Sequence, residues 1–195
     1  MASPLHAYTL NEVRYFLLVT PCPSCGKGPW EIDAMEIPRA AGPRRTVRTH
    51  CRKCRHGESF EICCEDAPAD KEAINQTDEP SRIVDLHQWL ALFYMLLEKA
   101  SDTTAAAARL YGYRAALCLA EALKFYPDDD ELPPGRAFFT DAGRTAFREH
   151  PEKFARQKLR DMQARLPALP RMAGRVGKDL HPPTRKWWEF WKRQP

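Results

Sequence analysis

The sequence lacks any apolar run long enough to cross a bilayer, which takes about 20 residues. Its most apolar stretch, residues 86–97, is short and is interrupted by His87 and Gln88. The start of the chain also lacks the basic segment and apolar run of a secretory leader. We therefore expect a cytoplasmic protein without a membrane partner.

A recognisable catalytic constellation is missing as well. The chain offers no Ser/His/Asp, Cys/His or paired-carboxylate set whose spacing indicates a particular reaction. The acidic run at 128–131 lacks the alternating ligand spacing of an EF-hand calcium loop, so an exposed acidic turn is the better interpretation. These absences predict a protein that is not an enzyme and imply no small-molecule substrate.

Charge is unevenly distributed along the 195 residues, although the net charge is only +4. The net charge is +4 over residues 1–60, −6 over 61–80, −3 over 81–135 and +9 over 136–195. Such asymmetry indicates an anionic partner for the two basic ends, or contacts between acidic and basic parts of the same molecule.

Two Cys-x-x-Cys pairs are the strongest chemical signal in the chain. Zinc prefers four tetrahedral ligands, and thiolates are favoured at closed structural sites. Two residues between cysteines allow a tight turn to direct both sulfurs at one ion. In a chain without a leader, such pairs favour metal over disulfides, the alternatives being a redox pair or unliganded thiols. We expect one structural zinc ion bound by Cys22, Cys25, Cys51 and Cys54.

Residues 13–65 resemble the zinc-ribbon group of folds, because Cys-Pro-x-Cys-Gly is followed by Cys-x-x-Cys with predicted strands around both pairs. β-branched and aromatic content and alternation predict strands at 13–20, 30–37, 44–50 and 59–64. In the second of these strands, Trp30, Ile32 and Ala34 are expected to share one face. The resemblance implies a small antiparallel sheet around a closed metal site. It implies no single role, because ribbons bind nucleic acid, dock proteins or only staple a fold.

The remainder of the chain predicts helices. Apolar residues spaced by three and four predict a helix over 81–99, and an Ala-rich helix over 103–126 is expected to pack antiparallel to it. These two faintly resemble a tetratricopeptide helix pair, but a single unit makes no array. Further helices are predicted over 141–149 and 151–166, whereas 168–184 is expected to have little fixed structure.

The predicted fold class is therefore α+β, a small antiparallel four-cysteine zinc ribbon followed by an α-helical domain and a flexible tail. We divide the chain into a zinc ribbon at 1–65, an acidic linker at 66–80, a helical domain at 81–167, and a basic tail with an aromatic tip at 168–195. Cys63 and Cys64 are expected to be strand residues and not spare ligands, with one of them in the core.

Two surfaces are candidate binding sites. A basic hairpin and knuckle suggest either a nucleic-acid interface or a solvated, charged edge strand. Its residues are Arg44, Arg45, Arg48, Arg52, Lys53 and Arg55. The aromatic tip would dock a partner, enter a membrane interface or fold back on the protein. Its residues are Trp187, Trp188, Phe190 and Trp191.

Together these features predict a non-catalytic, zinc-binding adaptor or regulatory protein that acts through protein–protein contacts. The alternative is a nucleic-acid-binding zinc-ribbon protein that uses the basic hairpin.

Overall fold

A computed structural model describes residues 4–36, 43–64, 73–127 and 130–180 of the chain. Its mixture of strands and helices makes the protein α+β, as the sequence predicts. The strands are β1 (Leu5–Ala7), β2 (Trp30–Glu36), β3 (Arg44–Cys51) and β4 (Gly57–Cys64). The helices are α1 (Leu10–Val19), α2 (Leu86–Ser101), α3 (Ala105–Leu123), α4 (Asp141–Glu149), α5 (Arg156–Ala164) and α6 (Leu169–Leu180). Within the described ranges, no helix is both long and apolar enough to cross a membrane.

The four strands form one sheet in the order β1-β4-β3-β2. β1 runs parallel to β4, and the other neighbours are antiparallel. The prediction of an antiparallel sheet is therefore wrong for β1, a strand that lies outside the predicted ones. The inner face buries Val47 and Thr49 of β3 beside Ile62 and Cys64 of β4, whereas Arg48 is exposed on the outer face. The alternation predicted for β3 and β4 is therefore confirmed.

A β-bulge changes the predicted pattern of β2. Ile32 pairs with Thr49, but the register shifts by one residue so that Ala34 pairs with Arg48. Asp33 is the extra residue, and after it side chains change faces. The prediction that Ala34 shares a face with Trp30 and Ile32 is therefore wrong. Sequence alternation could not show the bulge because it depends on pairing with β3.

Residues 13–20, predicted as a strand, instead form most of helix α1. Thr9 caps the helix by accepting a hydrogen bond from the Glu12 amide at 3.1 Å, and the Glu12 carboxylate accepts one from the Tyr8 amide at 2.6 Å. Val13 and Leu17, four residues apart, are buried on one face. The Thr-x-x-Glu pattern was the sequence signal for this helix start. Capping and tertiary packing outweigh the β-branched and aromatic composition.

The predicted helical hairpin is present as α2 and α3, which pack against each other across a short connection. α2 begins at Leu86, later than predicted, because Asp85 forms a capping box with Gln88. Asp85 also accepts hydrogen bonds from the Thr140 amide at 3.1 Å and hydroxyl at 2.5 Å. One buried carboxylate therefore fixes the starts of α2 and α4.

The C-terminal elements depart further from the prediction. α4 has its predicted bounds, but residues 151–166 divide into a 3-10 turn (Pro151–Phe154) and α5. Residues 168–184 were expected to have little fixed structure, whereas α6 occupies most of that stretch and packs on α3. Val176 of α6 is buried, and a Cβ placed on Gly112 of α3 would lie 3.8 Å from Met172. α6 is stabilised by this tertiary contact, which local composition does not reveal.

Helix α1 connects the sheet to the helical part of the chain. One hydrophobic core contains Val47 of the sheet, Val13 of α1 and Trp89 of α2. Residues 73–80, from the predicted linker, contact α1. Ile74 is 1% exposed, its carbonyl accepts a hydrogen bond from the Thr9 hydroxyl, and the Ala73 carbonyl accepts one from Asn11 at 2.9 Å. The division of the chain at 65 and 80 stays a prediction.

Two carboxylates are buried where α1, residues 73–80 and α3 meet. Glu12 is 0% exposed and Glu121 is 5% exposed. Lys124 lies 2.8 Å from Glu121 and donates a second hydrogen bond to the Asn75 carbonyl at 3.0 Å. Burial raises the pKa of Glu12, and it raises the pKa of Glu121 to about 7, with Lys124 opposing the shift and the Glu12 charge adding to it.

This pKa shift predicts how Glu121 affects stability. The folded protein holds the Glu121 proton up to about pH 7, whereas the unfolded chain releases it near pH 4.5. Its stabilising effect is therefore full below pH 4.5 and is lost as the pH rises through about 7. In Glu121→Gln this dependence disappears. The difference in unfolding free energy between wild type and Glu121→Gln should change by roughly 3 kcal/mol. The change should occur between the two pKa values, from pH 4.5 to about 7.

Urea unfolding followed by circular dichroism between pH 4 and 8 measures the difference. Glu98→Gln, which removes an exposed carboxylate, is the matched control for the loss of one glutamate charge. If the difference in unfolding free energy between wild type and Glu121→Gln stays constant with pH, the pKa of Glu121 is not raised in the folded protein.

Candidate metal centre

The four predicted cysteine ligands meet at one point. Their sulfurs all lie within 4.8 Å of one another, with 3.7 Å between Cys22 and Cys54 and 3.7 Å between Cys25 and Cys51. Four sulfurs at the corners of a tetrahedron, each about 2.3 Å from a central zinc, would be roughly 3.8 Å apart. The cluster therefore fits a zinc-sized ion, and the structure brings together the complete predicted ligand set.

The first pair of cysteines lies on a tight backbone loop, the first knuckle (residues 22–27). The Cys22 amide donates to the Lys27 carbonyl at 2.6 Å, and the Gly26 amide donates to the Cys22 carbonyl at 2.8 Å. Gly26 has φ +66°, which is left-handed backbone that glycine adopts without steric cost. The turn leaves both sulfurs on the same side of the loop.

The second knuckle (residues 51–56) repeats this backbone. The Cys51 amide donates to the His56 carbonyl at 2.8 Å, and the Arg55 amide donates to the Cys51 carbonyl at 2.8 Å. Arg55 occupies the place of Gly26 and has φ +63°, the one positive φ of a non-glycine residue in the described chain. A non-glycine residue is rarely held there. Two loops that share little beyond their cysteines therefore adopt the same ligand-presenting conformation.

The β2–β3 hairpin brings the two knuckles together. The first knuckle leads into Trp30, which pairs with Cys51 at the start of the second. The Arg52 amide donates a hydrogen bond to the Pro29 carbonyl at 3.0 Å and joins the loops directly. Trp30 also makes an edge contact with Phe60 of β4, with ring centroids 5.7 Å apart. The metal site is thus built on regular sheet pairing.

Backbone hydrogen bonds, burial and the neighbouring thiols together separate the pKa values of Cys51 and Cys25. The backbone amide of Cys54, followed by that of Lys53, lowers the pKa of Cys51 to about 7. A backbone hydrogen bond at Lys27 lowers the pKa of Cys25, but burial and the three neighbouring thiols outweigh it and raise that pKa to about 11. The second knuckle therefore favours a thiolate at Cys51. A divalent cation would relieve the repulsion that opposes ionising all four sulfurs together.

The other cysteines lie apart from this cluster. Cys64 is 2% exposed and belongs to the sheet core, while Cys63 is half-buried on the opposite face of β4. This confirms the expectation of strand residues with one in the core. Cys118 is buried in α3, and burial raises the pKa of its thiol. It is therefore a small apolar core residue.

The basic residues of the hairpin and second knuckle lie among carboxylates. Arg48 pairs with Glu36 at 2.9 Å, and Arg52 lies 3.6 Å from Glu31. Arg44 and Lys53 are exposed at opposite ends of this region, and Arg45 is half-buried on β3. The outer face of the sheet thus alternates in charge and is not uniformly positive.

A polar network that the sequence did not reveal surrounds His50. Its Nδ1 lies 2.6 Å from Asp33, its Nε2 lies 3.1 Å from Glu31, and Arg55 donates to that nitrogen at 2.7 Å. Asp33 is the bulge residue of β2. The bulge therefore places a carboxylate beside β3, where it helps to fix the side chain of the left-handed Arg55.

The predicted docking residues of the tail lie outside the described residues. They are Trp187, Trp188, Phe190 and Trp191.

Comparison with known proteins gives no relative from which a function could be inferred. No protein-family model matches the chain, and neither curated proteins nor solved structures give a significant match.

The left-handed position in the first knuckle generates a testable expectation. Gly26→Ala meets no atom within 4 Å, so its cost is conformational and should be about 1 kcal/mol of stability in the metal-loaded protein. Gly135→Ala is the matched control, because it also meets no atom within 4 Å but lacks a positive φ. Equal effects of the two substitutions in urea unfolding would show that the knuckle does not require the left-handed conformation.

Proposed function

We propose that this protein is a non-catalytic adaptor or regulatory protein, stapled by one structural zinc ion and acting through protein–protein contacts. The observation that carries the proposal is the meeting of four cysteine sulfurs from two loops with the same backbone. The ligand spacing that resembles zinc ribbons points the same way. The cytoplasmic location expected from the sequence stays a prediction.

The ligand set favours a structural role for the metal. Catalytic zinc keeps one coordination position open for water or substrate, whereas four thiolates complete the tetrahedron. Zinc bound here by Cys22, Cys25, Cys51 and Cys54 would hold the knuckles together, supplying a cross-link between chain segments. We therefore propose that the function lies away from the metal, on other surfaces of the protein.

Exposed apolar side chains on the helical part supply a candidate docking surface. Tyr94 of α2 is 51% exposed, and Leu132 and Phe139, both in the connection before α4, are 47% and 38% exposed. We propose that Leu132 and Phe139, which belong to one short connection, contact the partner, because docking would remove these exposed apolar side chains from water. The aromatic tip of the tail would add to this contact.

Nucleic-acid binding is the alternative function. The observation in its favour is the concentration of basic residues on β3 and the second knuckle, with Lys53 exposed at the tip. The ion pairs of Arg48 and Arg52 with carboxylates weigh against it, because a phosphate would have to displace them. We therefore rank it below protein docking.

Metal analysis tests whether the four cysteines bind one structural zinc ion. Protein purified without added zinc should contain one zinc ion per chain, because four thiolates bind zinc tightly. Cys25→Ser and Cys54→Ser should each lose most of it, since each removes one of the four ligands. Cys63→Ser is the matched control and should keep a full equivalent, because Cys63 lies outside the cluster. Retention of a full equivalent by both ligand variants would contradict the proposal.

Affinity capture tests the docking role against the alternative. The zinc-loaded chain should retain a protein that Leu132→Asp or Phe139→Asp releases, because the new charge would be desolvated at the contact. Filter binding at low salt should show no retention of DNA or RNA. Salt-sensitive retention that falls in Lys53→Ala would instead favour nucleic-acid binding. Lys158→Ala, which removes an exposed cation of α5, is the matched charge control.

A further inference from the structure

An apolar groove lies between the sheet and the helices. α1, β2, α2 and α3 each contribute side chains to it, and its volume is about 360 Å³. Pockets that bind small molecules span roughly 300–1,000 Å³ and are lined mainly by apolar and aromatic side chains. The groove is thus large enough for one small molecule.

Apolar side chains line the groove both at its floor and at its rim. Leu17, Trp30 and Leu96 are each at most 4% exposed and contribute from α1, β2 and α2. At the surface, Leu18 is 38% exposed and Ile32 is 40% exposed. These two side chains extend the apolar wall into solvent, where a bound apolar group would remove them from water.

The charged side chains that line the groove are all positive. Arg14, Lys99 and Arg114 line it, and none of the described side chains that line it is acidic. Arg14 donates a hydrogen bond to the Asn11 side chain at 3.2 Å, which orients its guanidinium. The outer face of the sheet differs, because its arginines alternate with carboxylates. Cations beside an apolar floor are complementary to a molecule that has an apolar body and a negative head.

We propose that this groove binds a small amphipathic anion, a medium-length hydrocarbon chain or ring system carrying one carboxylate. The apolar body lies over Leu17, Trp30 and Leu96, and the carboxylate accepts hydrogen bonds from Arg14 and Lys99. None of the four cysteines, Leu132 or Phe139 lines the groove, so this proposal does not rest on the proposed adaptor role.

The metal centre is connected to one wall of the groove. Trp30 follows Pro29, whose carbonyl accepts the hydrogen bond from Arg52 of the second knuckle. Trp30 also pairs with Cys51. Experiments on the groove therefore use the zinc-loaded full chain, so that this wall is held in place.

Calorimetric titration with decanoate below its micelle concentration tests the proposal. Decanoate should bind saturably with one molecule per chain, and decyltrimethylammonium, which has the same chain length and the opposite charge, should not. Arg14→Gln and Lys99→Gln should each weaken decanoate binding about tenfold, since each removes a charged hydrogen-bond donor. Ile32→Asp should weaken it at least as much by placing a negative charge at the apolar rim.

Lys153→Gln is the matched control for charge, because it removes one exposed cation that does not line the groove. It should leave decanoate binding unchanged. The proposal is overturned if decanoate does not bind, if the cationic amphiphile binds equally well, or if Lys153→Gln weakens binding as much as Arg14→Gln. It is also overturned if the chain sediments as a dimer that Ile32→Asp dissociates, because the groove would then be occupied by a second copy.

Discussion

The convergence of four thiols is the constraint on which the sheet depends. Cys25 and Cys51 are 26 residues apart in the chain, yet their sulfurs lie 3.7 Å from each other. Each knuckle folds back on itself by the same pair of backbone hydrogen bonds, and each requires one left-handed residue. The register of β2 on β3 then follows, because Trp30 must pair with Cys51 for the knuckles to meet. Arg55 adopts its unfavourable conformation for the same reason.

The sheet is small, and its stability depends on the helices. β1 has only three residues, and the inner face of the sheet shares its core with α1, α2 and α3. Helix α1 is central to this arrangement, since it packs against the strands and also contacts residues 73–80. Glu12 of α1 and Glu121 of α3 are buried at this junction, while the cationic groove opens elsewhere between α1 and α3. Metal binding, buried charge and a ligand-sized groove are therefore parts of one connected core.

Local pattern predicted much of this architecture. The spacing of the cysteines identified all four clustered thiols, and side-chain alternation identified β3 and β4. The apolar spacing of α2 and the bounds of α4 were also predicted. The features that were not predicted depend on distant contacts or on competing local signals. α1 has strand-like composition but is capped by the Thr9 side chain. The Asp33 bulge arises from pairing with β3, and α6 is held by its packing on α3 near Gly112. The His50 network and the Glu12–Glu121 junction join residues far apart in sequence.

X-ray absorption at the zinc edge is the most direct measurement of the central claim, that four sulfurs surround one metal ion. The extended fine structure of the purified full chain should fit a single shell of four sulfur atoms at about 2.3 Å. Nitrogen or oxygen ligands at about 2.0–2.1 Å in place of one or more sulfurs would contradict a closed four-cysteine centre. Absence of zinc from a protein whose sheet is nevertheless folded would contradict the structural role of the metal.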